Sequence, residues 1–379
     1  MARENSTLTY DSPSVMVLFQ LLGIALGKEE PSSLPNDVNL EEVYELSLKQ
    51  GVGAIACDGM LALENCNIDE VLKYKWMGQS MLIEQKYYRH LDVISKLASF
   101  YHQNGINMML LKGYGLSLNY PRPEHRPPGD IDIFLKSDDG NKKVWQLGDN
   151  DMRKKLGIKV DSSHEHHTVF NFLGQTVENH YDFINTKGTR SSRFIENRLK
   201  LLSQKEGQKV GVERDMVELP CADFNAIFIM RHMGQHFAGA EISLRHILDW
   251  ATFVEVTSKL DEKDSVRWAE VIPFWEKIGI LNFAKCINSV CVQHLGIDSE
   301  LFYGQLSKDE KLLARVLNDI ICPEFSEKKE GDFFPTILFR TRRFYANRWK
   351  RKLVYKEGII EQFFTGSLAH LKRFRMIKE

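Results

Sequence analysis

With 379 residues, the chain is long enough to bury a large core and to divide into two or three domains. Its 50 Lys and Arg nearly balance its 51 Asp and Glu, so no global field demands nucleic acid or an anionic membrane as partner. Six cysteines without a Cys-x-x-Cys pair indicate neither a zinc site nor a disulfide framework. No signal-peptide pattern and no bilayer-length apolar run are present, so a soluble cytoplasmic protein without a transmembrane segment is expected.

In chain order, residues 14–26 form a strongly apolar helix through Val15, Leu18, Phe19, Leu21, Leu22 and Ile24, and a Pro- and Ser-containing loop follows over 29–39. Residues 40–50 are amphipathic, and Gly51-Val52-Gly53 breaks the pattern. Helical periodicity then runs from 69 to 104, with Gly105 closing it, and 106–111 reads as the first strand of a mixed α/β core.

The stretch 110–135 organises the chain: a strand end, a glycine turn at Lys112-Gly113, a Pro-rich loop, and a second strand with Asp130 and Asp132 one residue apart. On a period-two strand both carboxylates share one face, with Ile131 and Ile133 on the other. Paired carboxylates repel unless a cation joins them, and hard oxygen donors suit Mg²⁺. Gly113 lets backbone N–H groups approach a phosphate. Lys112 and Arg126 supply positive charge, Arg126 from a loop stiffened by Pro127 and Pro128. The plainer readings are a decorated surface strand and solvated loop cations.

Lys112-Gly113, Tyr120-Pro121, Arg126 and Gly129-Asp130-Ile131-Asp132-Ile133 together resemble the nucleotidyltransferase superfamily with a DNA polymerase β-like core. Within it, the chain is most similar to the uncharacterised bacterial nucleotidyltransferases. The resemblance covers roughly residues 85–255. Two departures stand out: the segment from Tyr114 to Gly129 is long, and Tyr114 follows Gly113 where many members carry a second Gly or a Ser.

Beyond the organising stretch, 144–156 reads as a helix ended by Gly157, and 166–183 as a hairpin with Gly174 in its turn. Glu178, His180 and Asp182 alternate with apolar and aromatic residues on the second strand. The resemblance places the third carboxylate here. Glu178 is the first choice and Asp182 the second, because Glu178, His180 and Tyr181 match the family's Glu-x-His-aromatic pattern. His180 then orients Glu178 or meets a phosphate, unless it is an ordinary strand histidine. The run His164 to His167 lacks partners at structural-zinc spacing and is expected to be an exposed strand start. Residues 191–205 read as a polar connection or short helix, and 205–215 is charged and glycine-containing.

From 221 to 322 the sequence is helical. His232 and His236 lie four apart, as do Arg245 and Asp249. The resemblance assigns these four residues to nucleotide contacts across a cleft from the carboxylates. Core histidines and an intrahelical ion pair are the alternatives. From 340 to 379, twelve Lys and Arg stand against three acids, a net +9, interleaved with aromatics. Such a segment could grip single-stranded nucleic acid or lipid, but a self-packed amphipathic helix with a solvated basic face is the commoner outcome.

The expected architecture is therefore α+β. A small mixed sheet forms the nucleotidyltransferase core over 105–215. It is preceded by a helical region at 1–104 and followed by a helical domain at 216–322 and a basic aromatic segment at 323–379. The implied chemistry is transfer of an NMP from an NTP such as ATP to a hydroxyl acceptor. Mg²⁺ or Mn²⁺ would be held by Asp130, Asp132 and Glu178, and the nucleotide contacted by Lys112, Gly113, Arg126, His180, His232, His236, Arg245 and Asp249. A non-catalytic nucleotide-binding scaffold and a nucleic-acid-directed transferase using the tail are the alternatives, and nucleic acid is not the favoured partner.

Overall fold

A computed structural model describes residues 9–35, 38–63, 68–138, 140–186, 190–213, 215–325, 333–358 and 361. The chain opens with α1 (Pro13–Ala25), α2 (Leu40–Lys49), α3 (Gly53–Ala62) and the 34-residue α4 (Glu70–Gln103). The sheet region comprises β1 (Asn107–Leu111), α5 (Gly113–Ser117), β2 (Ile131–Lys136), α6 (Val144–Leu156), β3 (Val160–Asp161), β4 (His167–Phe172), β5 (Gln175–His180), α7 (Arg190–Leu202), β6 (Gln208–Val212) and β7 (Asp215–Leu219). Helices α8 (Ala222–Gly239), α9 (Leu244–Ser258), α10 (Trp268–Ile278), α11 (Leu281–Leu295), α12 (Glu310–Ile321), α13 (Phe333–Ala346) and α14 (Arg348–Val354) complete it.

Helix boundaries follow local chemistry. Asn39 accepts the free N–H groups of Glu41 and Glu42, and Asp69 accepts that of Leu72. Helix α3 corrects the sequence expectation of a simple break after residue 50: Gly53 starts a new helix instead. Its Gly59 lies against α1 so closely that a Cβ there would sit 2.0 Å from the Leu21 carbonyl oxygen. Gly59→Ala, which helix propensity alone would favour, is therefore expected to destabilise the protein by about 3 kcal/mol, read as a lower denaturant midpoint.

The sheet has seven strands in the order β3-β4-β5-β2-β1-β7-β6. It is mixed, because β2 runs parallel to β5 and β1 parallel to β7 while the remaining pairs are antiparallel. It is larger than expected. The charged stretch 205–215, to which the sequence assigned no strand, supplies β6 and the start of β7, and the sheet continues to Leu219. Of the two readings for 191–205, the helix holds: α7 runs for 13 residues.

Period-two alternation sorts the central strands between two cores. Met108, Leu110, Ile131, Ile133 and Leu135 pack with the second half of α4, including Val93, Leu97 and Tyr101. Met109 and Leu111 point the other way, into a helical core that draws on α1, α2 and α3 as well as α8, α9, α10, α11, α12 and α14. Helix α4 joins the two, with Leu72 and Trp76 in the helical core and Tyr87 to Tyr101 against the sheet. At 34 residues it spans about 50 Å.

Of the basic tail, α14 is packed. Leu353 and Val354 enter the helical core, and Lys350, 1% exposed, pairs with Asp319 at 2.5 Å. Residues 359–360 and 362–379 lie outside the described residues. Among the described residues, no helix is long and apolar enough to cross a membrane. Cys57, Cys221, Cys286, Cys291 and Cys322 are free thiols.

Candidate active site

Strand β2 lies between β1 and β5, so its non-isoleucine face carries the charge. The register sets Asp132 opposite Leu111 on one side and Glu178 on the other. Lys112, directly after β1, has φ +48°, an unusual backbone conformation for a residue with a side chain. Its ammonium lies 3.0 Å from Asp132 Oδ1. Gly113 follows with φ +39°, a conformation in which glycine is at ease. Strain of this kind collects where a side chain must be aimed, and here the aimed group is a cation on a buried carboxylate.

His180 Nε2 lies 3.0 Å from the same Asp132 oxygen and 3.5 Å from Glu178 Oε2. Burial disfavours charge on Asp132, but Lys112 and His180 outweigh it and hold the carboxyl well below the usual range. Burial likewise works against the His180 imidazolium, and Asp132 and Glu178 reverse it, raising its pKa. Asp130 behaves differently. It sits at the exposed start of β2, and desolvation together with repulsion from Glu178 and Asp132 raises its pKa. The carboxylates thus include one group that lacks sufficient countercharge.

These groups open onto a cleft of about 310 Å³. Of the site residues named from sequence, all border it except His180, which stands behind Asp132 and Glu178, and Asp182, the second choice for the third carboxylate. The facing wall is α8 and α9: His232 and His236, with ring centroids 4.4 Å apart, then Arg245, His246 and Asp249. Burial, the Lys112 charge and His236 hold His232 well below its ordinary pKa, so it is neutral.

Arg245 and Asp249 do not form the intrahelical pair weighed from sequence. Asp249 instead accepts Arg126 Nε at 2.7 Å and Nη2 at 2.8 Å, and the Tyr120 hydroxyl at 2.7 Å. Arg126 is 6% exposed and donates its remaining nitrogen to the Pro127 carbonyl. It is neither a solvated loop cation nor, as it stands, a guanidinium open to phosphate. Arg245, by contrast, makes no side-chain hydrogen bond or ion pair within 4 Å among the described residues, and its Nε is buried without a partner.

The Pro-rich loop is fixed at a second point. His125, 2% exposed, bridges Asp58 of α3 and Glu84 of α4, each at 2.6 Å. Beyond β5 the polypeptide turns sharply. Asp182 lies past the end of the strand and pairs with Lys200 at 3.2 Å, so Glu178 is the acid adjacent to Asp132.

Glu196 of α7 anchors that turn by accepting the Phe183 and Ile184 N–H groups. Burial pushes its pKa up to about 7 from the ordinary 4.5, against those hydrogen bonds and Lys200. A raised carboxyl pKa stabilises the fold at low pH, and that contribution is lost as pH rises from about 4.5 through 7. Glu196→Gln stays neutral, so its stability relative to wild type is expected to improve over this range by up to about 3 kcal/mol, read from melts at each pH.

Sequence reasoning missed Tyr120, His246 and the histidine run. The run is not an exposed strand start: His167 is 6% exposed and its Nε2 lies 3.7 Å from Glu178 Oε1. A usable signal existed. The two-residue turn Leu173-Gly174 fixes a register that sets His167 opposite His180.

The sequence profile of a family described as uncharacterised nucleotidyltransferase matches residues 36–296. Among solved structures, an antigenic nucleotidyltransferase-like protein from Paracoccidioides brasiliensis is similar at 14% identity and a TM-score of 0.36, over 56% of this chain and 96% of that one. No curated protein matches.

Proposed function

The chain belongs to the uncharacterised nucleotidyltransferase family, and we propose that it moves an NMP from an NTP to a hydroxyl acceptor with release of pyrophosphate. The observation that carries this reading is the cleft itself, in which Asp130, Asp132 and Glu178 face an Arg245 that is unpaired among the described residues. A purely structural cluster would balance its charges; this one leaves an excess of carboxylate on one wall and a free guanidinium on the other.

The donor set fits a hard divalent cation. All three groups offer oxygen, burial and the neighbouring Glu178 and Asp132 outweigh Lys112 and raise the Asp130 pKa, and the ammonium of Lys112 lies against Asp132. Asp130, Asp132 and Glu178 would hold Mg²⁺ or Mn²⁺. When bound, such an ion neutralises phosphate charge and lowers the pKa of the attacking hydroxyl.

The chain's own groups then have distinct tasks. The bond from the acceptor oxygen to the α-phosphorus forms as the bond to pyrophosphate breaks, and the acceptor proton passes to solvent. Lys112 and Arg245 offset the triphosphate's charge from opposite walls. His232, kept neutral, offers a hydrogen bond without adding charge. His180 fixes the orientation of Asp132 and Glu178. Arg126 acts at one remove, by holding the loop that carries Asp130.

The test is pyrophosphate release from each NTP with Mg²⁺ or Mn²⁺ across a pooled set of hydroxyl acceptors, beside metal-dependent NTP binding. Release or binding that requires Asp130 and Asp132 supports the proposal. An absence of NTP binding by the metal-loaded wild type defeats it.

A further inference from the structure

Beside the oxygen-donor cluster lies a second group of ligands with different chemistry. Ring nitrogens of His166, His167 and His180 all approach within 4.8 Å of one another. His167 and His180 are 6% and 3% exposed. The Nδ1 atoms of both His166 and His167 are buried and have no hydrogen-bond partner among the described residues. An unpaired buried imidazole nitrogen is costly, and two in one cluster call for a shared partner.

Strand pairing and a sharp turn build the cluster. The β4–β5 register sets His167 opposite His180, and the Tyr181 and Asp182 N–H groups both donate to the His166 carbonyl, fixing that residue beside the strand end. The His166 ring stands edge-on to His167 at 4.3 Å between centroids, and His164 stacks on His167 at 4.7 Å from outside. Glu178 closes the inner side, with Oε1 3.7 Å from His167 Nε2 and Oε2 3.5 Å from His180 Nε2. Three imidazoles crowd together here with a carboxylate at hand.

We infer that His166, His167 and His180, with Glu178 at the edge, form a nitrogen-rich site for a transition-metal ion of the Zn²⁺ class, adjacent to the oxygen-donor Mg²⁺ position and sharing Glu178 with it. Imidazole selects Zn²⁺, Co²⁺ and their neighbours, whereas Mg²⁺ binds nitrogen poorly. Three histidines leave a coordination position for Glu178 or water. The ion would fix the Glu178 carboxylate from behind, on the side away from the cleft. This inference concerns binding alone and does not depend on the transferase reading.

The experiment uses the full chain, stripped with chelator and titrated with Co²⁺. The expected result is a single ion with the visible ligand-field bands of low-coordinate Co²⁺, resistant to excess Mg²⁺ and displaced by Zn²⁺. His166→Ala and His167→Ala should each weaken binding by more than the roughly 10- to 100-fold typical of losing an outer-shell partner. Asp130→Asn should leave the bands in place, which separates this site from the one proposed for catalysis. His167→Cys covers the case of a misfolded alanine variant, because a thiolate on the ion adds a near-ultraviolet charge-transfer band. Absence of visible bands in wild type, their removal by Mg²⁺, or indifference to both alanine substitutions would overturn the assignment.

Discussion

Asp132→Asn is expected to lower nucleotidyl transfer by on the order of a thousandfold, the scale seen when a preorganised charge-stabilising group is removed. Asp132 is 8% exposed and stands at the convergence of the site, 3.0 Å from both Lys112 and His180 and in register with Glu178. The amide keeps the shape but removes the charge that holds Lys112 and His180 in place. Asp130→Asn offers a sharper comparison. Its carboxylate is repelled by Glu178 and Asp132, so neutralising it should leave the melting temperature equal or higher while activity falls as steeply. Activity lost with stability kept or gained is the signature of a group retained for function. Steady-state rates and melting curves on the two variants check both statements, and a variant with unchanged kcat/KM would remove that aspartate from the machinery.

Arg126→Ala and Asp249→Ala are each expected to cost about 3–5 kcal/mol, because either one strands a buried charge. The pair is bidentate, nearly solvent-free, and joins the Pro-rich loop to α9 across the cleft. The double alanine variant should cost less than the sum, with a coupling energy of about 1–3 kcal/mol. Arg126→Lys should rescue poorly, since an ammonium cannot form the two parallel bonds. Activity should fall with stability in these variants, because Asp130 lies four residues beyond Arg126 on the same tethered loop. Denaturant midpoints for the four-member cycle measure the coupling, and strict additivity would show that the two residues act independently.

Much of the site was legible because strand periodicity is local. A glycine turn followed by Asp130 and Asp132 one residue apart specifies a charged strand face whatever the rest of the chain does. The spacing of His232, His236, Arg245 and Asp249 similarly defined two helix faces. That these faces meet one cleft with the carboxylates was implied by the family resemblance, not by spacing.

What misled was the assumption that polar means exposed. Residues 205–215 are charged and glycine-containing, yet Gln208–Val212 pairs with Asp215–Leu219 at the sheet edge, offering alternate side chains to solvent. The histidine run looked like a solvated strand start because its partner His180 lies 13 residues downstream, a proximity only hairpin register reveals.

The sequence by itself determined most of the helices and the two-aspartate strand, since each depends on residues within a few positions of one another, and its family resemblance supplied the candidate chemistry. Tertiary structure alone decided who partners whom. Asp249 could pair with Arg245 one helical turn away, but it takes Arg126 from 123 residues upstream, where a buried fork satisfies both carboxylate oxygens. That choice frees Arg245 for the cleft. Likewise, α1, α2 and α3 share one core with the C-terminal helices because each presents an apolar face too large to leave in water, and no local pattern names the surface that covers it.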